Sequence, residues 1–303
     1  MTVEIVAQEL EWPEGPVWLD DGSIILVETA AGRIVRVRPD GSRDIVATPG
    51  GGPNGGAIGP DGALYVCNNG GMICHNIGGQ LFTSGDAPLD YETGRIERVD
   101  LASGEVKRLY DSVDARKLAG PNDIVFDNHG GFWFSDIGKR EGYRSADGGI
   151  FYATTDGTRI NRVIDRLGAN GIGISPDGTE LYVALTFQRQ ILAFDIVSPG
   201  VLNLDGMIPG RVVANFPGRQ YLDSLAVSQD GRICVGVCLE QPGIASVDPL
   251  SGEYERIALP DLAPTNICFG GADMRDAWVT FSAGGKLAKL RWATPGLKLA
   301  YHA

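Results

Sequence analysis

The chain lacks most of the residues that quickly assign a function. It has five cysteines in 303 residues, Cys67, Cys74, Cys234, Cys238 and Cys268, an odd number with no CxxC pair. That excludes a disulfide framework and a thiolate zinc site, and it fits a reducing, cytoplasmic setting. Cys234 and Cys238 read as small core residues on one strand. The three histidines, His75, His129 and His302, have no metal-ligand spacing. His129 falls at a hairpin tip and should face solvent, and His302 is nearly terminal. Basic residues are few, 26 against 38 acids for a net charge of −12, and they form no run. Phosphate-backbone binding needs clustered Lys and Arg, so a nucleic-acid partner is not expected. No apolar run reaches the roughly 20 residues of a membrane helix, and "MTVEIVAQELEWPEG" lacks the basic start of a signal peptide. A G-x-S-x-G nucleophile turn is absent. So is any useful helical period, which removes α/β architectures.

Glycine is abundant instead, at 43 residues, and it punctuates a repeat. "EGPVWLDDG" begins at Glu14, "NGGAIGPDG" at Asn54, "NDIVFDNHG" at Asn122, "NGIGISPDG" at Asn170 and "DSLAVSQDG" at Asp223. In each, a turn glycine stands eight residues after the polar anchor, at Gly22, Gly62, Gly130, Gly178 and Gly231. "NICFGGADMRDAWVTF", from Asn266, repeats the order of parts with a longer turn. Asp-Gly between apolar runs signals a hairpin, because glycine accepts the positive φ of such turns. Third and fourth runs such as "RIVRV" and "RDIVA" complete a meander. Four antiparallel strands in about 40–50 residues is the size of a propeller blade.

The expected fold is therefore all-β, a six-bladed β-propeller with four-stranded antiparallel blades, forming one domain over residues 1–303. "TVEIVAQEL" or the C-terminal "LKLAY" would supply the closing strand, and the pattern does not choose between them. Two long connections, residues 72–93 and 198–211, have the length of loops that shape a site.

In a propeller the first strand of each blade lines the central channel. Glu14, Asn54, Asn122, Asn170, Asp223 and Asn266 would then converge at one end of one axis. Asn and Asp favour strand starts for local reasons, but that preference does not account for six in register. Gathered carboxylates and amide oxygens repel one another unless a cation is present, and hard oxygen donors suit Ca²⁺, or Mg²⁺ and Mn²⁺, better than Zn²⁺. A central metal site is the expectation.

These motifs, from "PEGPVW" through "PNDIVFD" and "NGIGISPDG" to "NICFGG", resemble the senescence marker protein/gluconolactonase/luciferin-regenerating enzyme family over nearly the whole chain. The resemblance implies one divalent cation, often calcium, on Glu14, Asn122, Asn170 and Asp223. It also implies hydrolysis of a small-molecule carbonyl substrate, a lactone or related ester, with Asp223 as general base or nucleophile. Asn54, Asn266, Asp136 and His75 are the candidates for contact with substrate. Phe82, Tyr91, Tyr143 and Phe187 are candidate apolar walls. Family members acting on sugar lactones carry a basic residue two positions before the "ND" asparagine; here it is Gly120, which argues against an aldonolactone. The same cation and base could serve isomerisation, dehydration or C–C cleavage, and a binding propeller with a structural ion is the non-enzymatic alternative. The sequence neither requires nor excludes a homo-oligomer.

Overall fold

The computed structural model of the chain describes residues 2–207 and 209–301, so His302 lies outside the described residues. Six antiparallel sheets follow one another around an axis. The first blade comprises Pro13–Trp18, Ile24–Glu28, Arg33–Val37 and Arg43–Ala47, and the second Pro53–Ile58, Leu64–Asn68, Arg95–Val99 and Val106–Tyr110. The third comprises Pro121–Phe126, Gly131–Asp136, Gly149–Thr154 and Ile160–Asp165. In the fourth, Ile172–Ile174, Glu180–Leu185, Gln190–Ser198 and Arg211–Asn215 form the blade, and Val201–Leu202 doubles back on the third strand. Gln220–Val227, Ile233–Leu239, Gly243–Val247 and Tyr254–Ala258 form the fifth.

The sixth blade settles which end of the chain closes the ring. Pro264–Gly270, Asp276–Phe281 and Lys286–Arg291 are completed by Glu4–Ala7, with Glu4 opposite Lys289 and Ile5 opposite Ala288. The "LKLAY" segment does something else. It crosses the channel end away from the six anchors, where the Leu297 N–H donates to the Val227 carbonyl (2.9 Å) and Tyr301 packs edge-on against Phe126. Leu297, Leu299 and Tyr301 thereby close an axial cavity of about 100 Å³ between the innermost strands.

Blades pack face to face, so both faces of a strand are buried and its sequence reads as continuously apolar. In Phe132–Trp133–Phe134 the two phenylalanines join Tyr65 and Phe126 of one interface, while Trp133 joins Tyr152, Leu181 and Val183 of the next. Large side chains at alternate positions thus serve both neighbours.

Two devices shape the channel. Five innermost strands break register beside the polar anchor, between Glu14 and Val17, Pro53 and Gly56, Pro121 and Ile124, Leu222 and Leu225, and Pro264 and Asn266. A bulge re-aims a side chain that pleating would otherwise send into a blade interface. The residue after the anchor lets neighbouring strands approach. A Cβ on Gly55 would lie 2.6 Å from the Asn122 carbonyl and from the Asp123 Cα, and one on Gly171 would lie 2.7 Å from the Asp223 carbonyl. Gly15 combines such crowding, 2.3 Å from the Asn54 carbonyl, with φ of 50°. Gly55→Ala should therefore lower stability by about 1–3 kcal/mol, as overpacking does, measured by urea unfolding. An unchanged midpoint would mean that the hub is looser than described.

Candidate functional site

The six anchors stand at the starts of consecutive innermost strands, and contacts link them around the axis. Gly15 packs on the Asn54 carbonyl, Gly55 on that of Asn122, and Gly171 on that of Asp223. The Ser135 hydroxyl bridges the next pair by donating to the Asn170 carbonyl while accepting the Asp123 N–H at 3.0 Å. Asn266 Nδ2 donates to Glu14 Oε2 at 3.4 Å, which joins the last anchor to the first.

The chemistry of this hub lies in what its oxygens lack. Oδ1 of Asn54, Asn122 and Asn170 is buried with no hydrogen-bond partner. Among the described residues these are three of only six buried side-chain polar atoms in that condition. A buried acceptor left unpaired costs about 1–3 kcal/mol, so three around one axis point to a ligand. The carboxylates are strained in the same sense. Burial, and then the Asp223 carboxylate, hold Glu14 well above the usual range, although the Gly15 N–H donates to its Oε2 at 3.2 Å. Burial raises Asp223 to about 6 against opposing hydrogen bonds from Asn170, the Ser224 N–H and the Cys238 thiol, whose Sγ lies 3.8 Å from Asp223 Oδ2. No group of three or more His, Cys, Asp or Glu side chains is arranged for a metal among the described residues. The donors here are amide oxygens with two carboxylates, the set that a hard divalent cation takes.

Asp123 also belongs to the hub, although the sequence pattern does not place it there. It occupies the position that is glycine after Glu14, Asn54 and Asn170, and its carboxylate fills the space opposite Gly55. Its Oδ1 accepts the Ile124 N–H at 3.0 Å, and burial lifts it to about 7. The one signal for it is an Asp at a position that is glycine in three of the six copies.

Other expected residues stand elsewhere. Asp136 does not face the hub: its buried carboxylate accepts the N–H groups of Ala119 (2.9 Å), Gly120 (2.8 Å) and Gly138 (2.8 Å). It clamps the segment that delivers Asn122. Asn266 accepts the Ile267 N–H at 2.8 Å and supports Glu14, so its amide is engaged within the protein. His75 is exposed on a hairpin, Cys74–Ile77 with Gln80–Thr83, where it lies opposite Phe82 and near Asp86. Tyr143 is fully exposed, and Tyr91 is a structural residue whose hydroxyl donates to the Ala119 carbonyl at 2.7 Å. His129 is exposed at its turn.

The 72–93 connection forms a lid. Leu81 donates its N–H to the Ala283 carbonyl of the sixth blade at 3.0 Å and packs on Trp12, Cys238, Ala263 and Ala283. A second hairpin, Lys139–Glu141 with Arg144–Ala146, fastens the other end: Arg140 pairs with Asp86, and Lys139 Nζ donates to the Gly71 carbonyl at 2.7 Å. Burial lowers Lys139 to about 8.

A scan against family models matches residues 12–283 to the SMP-30/gluconolactonase/LRE-like region. The chain belongs to this family. A gluconolactonase of Zymomonas mobilis is 25% identical over 256 residues, covering 76% of this chain and 63% of the relative. The lactonase drp35 of Staphylococcus saprophyticus is 27% identical over 240 residues, covering 78% and 66%. The match thus spans slightly less than two-thirds of these curated relatives. Among solved structures, the calcium-binding protein regucalcin of Agrobacterium tumefaciens superposes with a TM-score of 0.74 at 15% identity, covering 98% of each chain. That likeness concerns the fold, and it agrees with six blades.

The raised carboxyls set a pH dependence. A carboxyl whose folded pKa exceeds its unfolded value binds its proton more tightly in the folded chain, so the stability it contributes is lost as pH rises. For Asp223 and Asp123 the window runs from about 4, the unfolded value, to the folded values of about 6 and about 7. The melting temperature of chelator-treated protein should fall across this window, less steeply in Asp223→Asn, and saturating Ca²⁺ should flatten the fall. A rise across the window that Asp223→Asn leaves unaltered would contradict the assigned shifts.

Proposed function

We propose that the protein is a hydrolase of lactones or related esters that works with one divalent cation, Ca²⁺ by preference, held by Glu14, Asn122, Asn170 and Asp223. The observation that carries this reading is the set of partnerless amide oxygens beside two mutually destabilised carboxyl groups. The gluconolactonase and lactonase relatives supply the reaction class, and the calcium-binding neighbour supports the choice of ion. A cation held there would polarise the substrate carbonyl and acidify a bound water.

The chain's own residues divide the remaining work. Asp223 is only partly covered, whereas Glu14 is 2% exposed, so Asp223 is the carboxylate a water or substrate can reach. A carboxylate at that position can accept the proton of a water bound beside it, which is the task of a general base. Glu14, held by the Gly15 N–H, Asn266 and the Thr265 hydroxyl, is a fixed counter-charge. Asn54, with its free Oδ1 on the same ring, is the amide left to orient a substrate hydroxyl or a water. The lid limits access of bulk water, which strengthens every electrostatic contact beneath it.

Asp223→Asn should leave a folded protein whose turnover of lactone or ester substrates drops at least about a hundredfold, read as acid release alongside a thermal melt. Chelation should abolish acid release and Ca²⁺ restore it. Full activity after complete cation removal, or a carbonyl product that is isomerised without acid release, overturns the hydrolase reading.

A further inference from the structure

The mouth above the hub has two unlike sides. Toward the second and third blades it is polar, with Asn54, Asn69 and Asn122. Toward the fifth, sixth and first blades a buried apolar cluster adjoins it. There Trp12, Cys238, Ala263 and Ala283 form one cluster, with Leu81 of the lid and Tyr221 packed against it. Cys238 carries that surface to the edge of the hub, since its Sγ lies 3.8 Å from Asp223. Phe187 extends it. Its ring stacks edge-on with Tyr221 at 6.0 Å yet remains 64% exposed, and the preceding residue, Thr186, accepts a hydrogen bond from Asn170 Nδ2 at 3.0 Å. A large aromatic left mostly open beside a buried polar site has apolar surface to offer a ligand.

Charge narrows the ligand further. Glu14, Asp123 and Asp223 give the hub three carboxyl groups, so even a divalent cation leaves no positive excess for an anionic ligand. Lys139 donates to the Gly71 carbonyl, Arg140 pairs with Asp86, and Arg219 pairs with Glu240. Position 120 offers no side chain, and its N–H is taken by Asp136. On the Leu81–Phe187 side a polyhydroxylated ligand would meet mainly hydrocarbon.

We infer that the site takes a neutral carbonyl compound carrying an alkyl or aryl substituent, with the substituent seated between Leu81 and the Phe187–Tyr221 pair. The inference rests on the proposed hydrolase reading for the reacting carbonyl, but the apolar seat can be tested without turnover.

The probes are 2-alkylcyclopentanones of increasing chain length, neutral ketones that present a ring carbonyl and cannot be hydrolysed. Binding to the full-length, Ca²⁺-loaded protein is followed by calorimetry. Affinity should rise about fourfold per methylene until the seat is filled, the factor expected for burying a CH₂. Leu81→Asn and Phe187→Ser should each flatten that slope, with folding checked by thermal melts. The parallel turnover series runs from unsubstituted to alkyl-substituted δ-lactones, with a hydroxylated aldonolactone for comparison, and kcat/KM should follow the same slope. A flat slope in the parent protein, or tighter handling of the hydroxylated lactone, overturns the inference. If ketone affinity climbs with chain length while no lactone is hydrolysed, the apolar seat stands and the hydrolase reading falls. If lactones are hydrolysed without regard to chain length, the reverse holds.

Discussion

Six strand starts cannot be drawn to one axis at van der Waals distance without leaving polar atoms that the protein itself does not satisfy. The glycines at 15, 55 and 171 allow the approach, and the register breaks turn the preceding side chains inward. The outcome is a small volume rich in oxygen and poor in donors. Desolvation makes each unpaired oxygen costly and each negative charge more so. A proton or a cation must balance that volume, and the raised pKa of Glu14, Asp123 and Asp223 is the proton's version of the balance. A divalent ion satisfies the amide oxygens as well, which a proton on a carboxylate does not.

Sixfold repetition builds the hub, but asymmetry makes it usable. The second blade alone extends into a lid, and the third alone supplies the hairpin that fastens it. Lys139 shows how firmly that fastening is specified: a buried ammonium group is retained in spite of a depressed pKa, directed at a backbone carbonyl and lying over Tyr91. Asp136 works in the same region by binding three backbone N–H groups, so the loop before Asn122 is held more rigidly than an ordinary connection. Positioning of the Asn122 amide at the hub therefore draws on residues that do not reach the axis.

Much of this is legible in the chain because the repeat places equivalent residues in equivalent positions. Asn122 and Asp223 fall into register from the amino-acid sequence alone, since the turn glycine eight residues on fixes where each strand begins. The closing strand is not decidable that way, because "TVEIVAQEL" and "LKLAY" are both short, partly apolar segments near the chain ends. Pairing with Lys286–Arg291 distinguishes them only in three dimensions. The surroundings of Asp136 and His75 are not fixed by the repeat either. Periodicity reports which strand a residue is on, whereas their roles follow from which backbone donors a loop presents and which way a lid folds. Asp123 escapes the pattern although it stands beside Asn122, because pleating alone would turn it away from the channel and the register break is not visible in sequence.

The most direct measurement is anomalous diffraction from crystals grown with a divalent cation such as Mn²⁺. The account predicts one strong peak on the propeller axis within bonding distance of Glu14, Asn122, Asn170 and Asp223. Repeated crystals with no axial peak, and with ordered water or protein donors on the amide oxygens of Asn54, Asn122 and Asn170 instead, would contradict it.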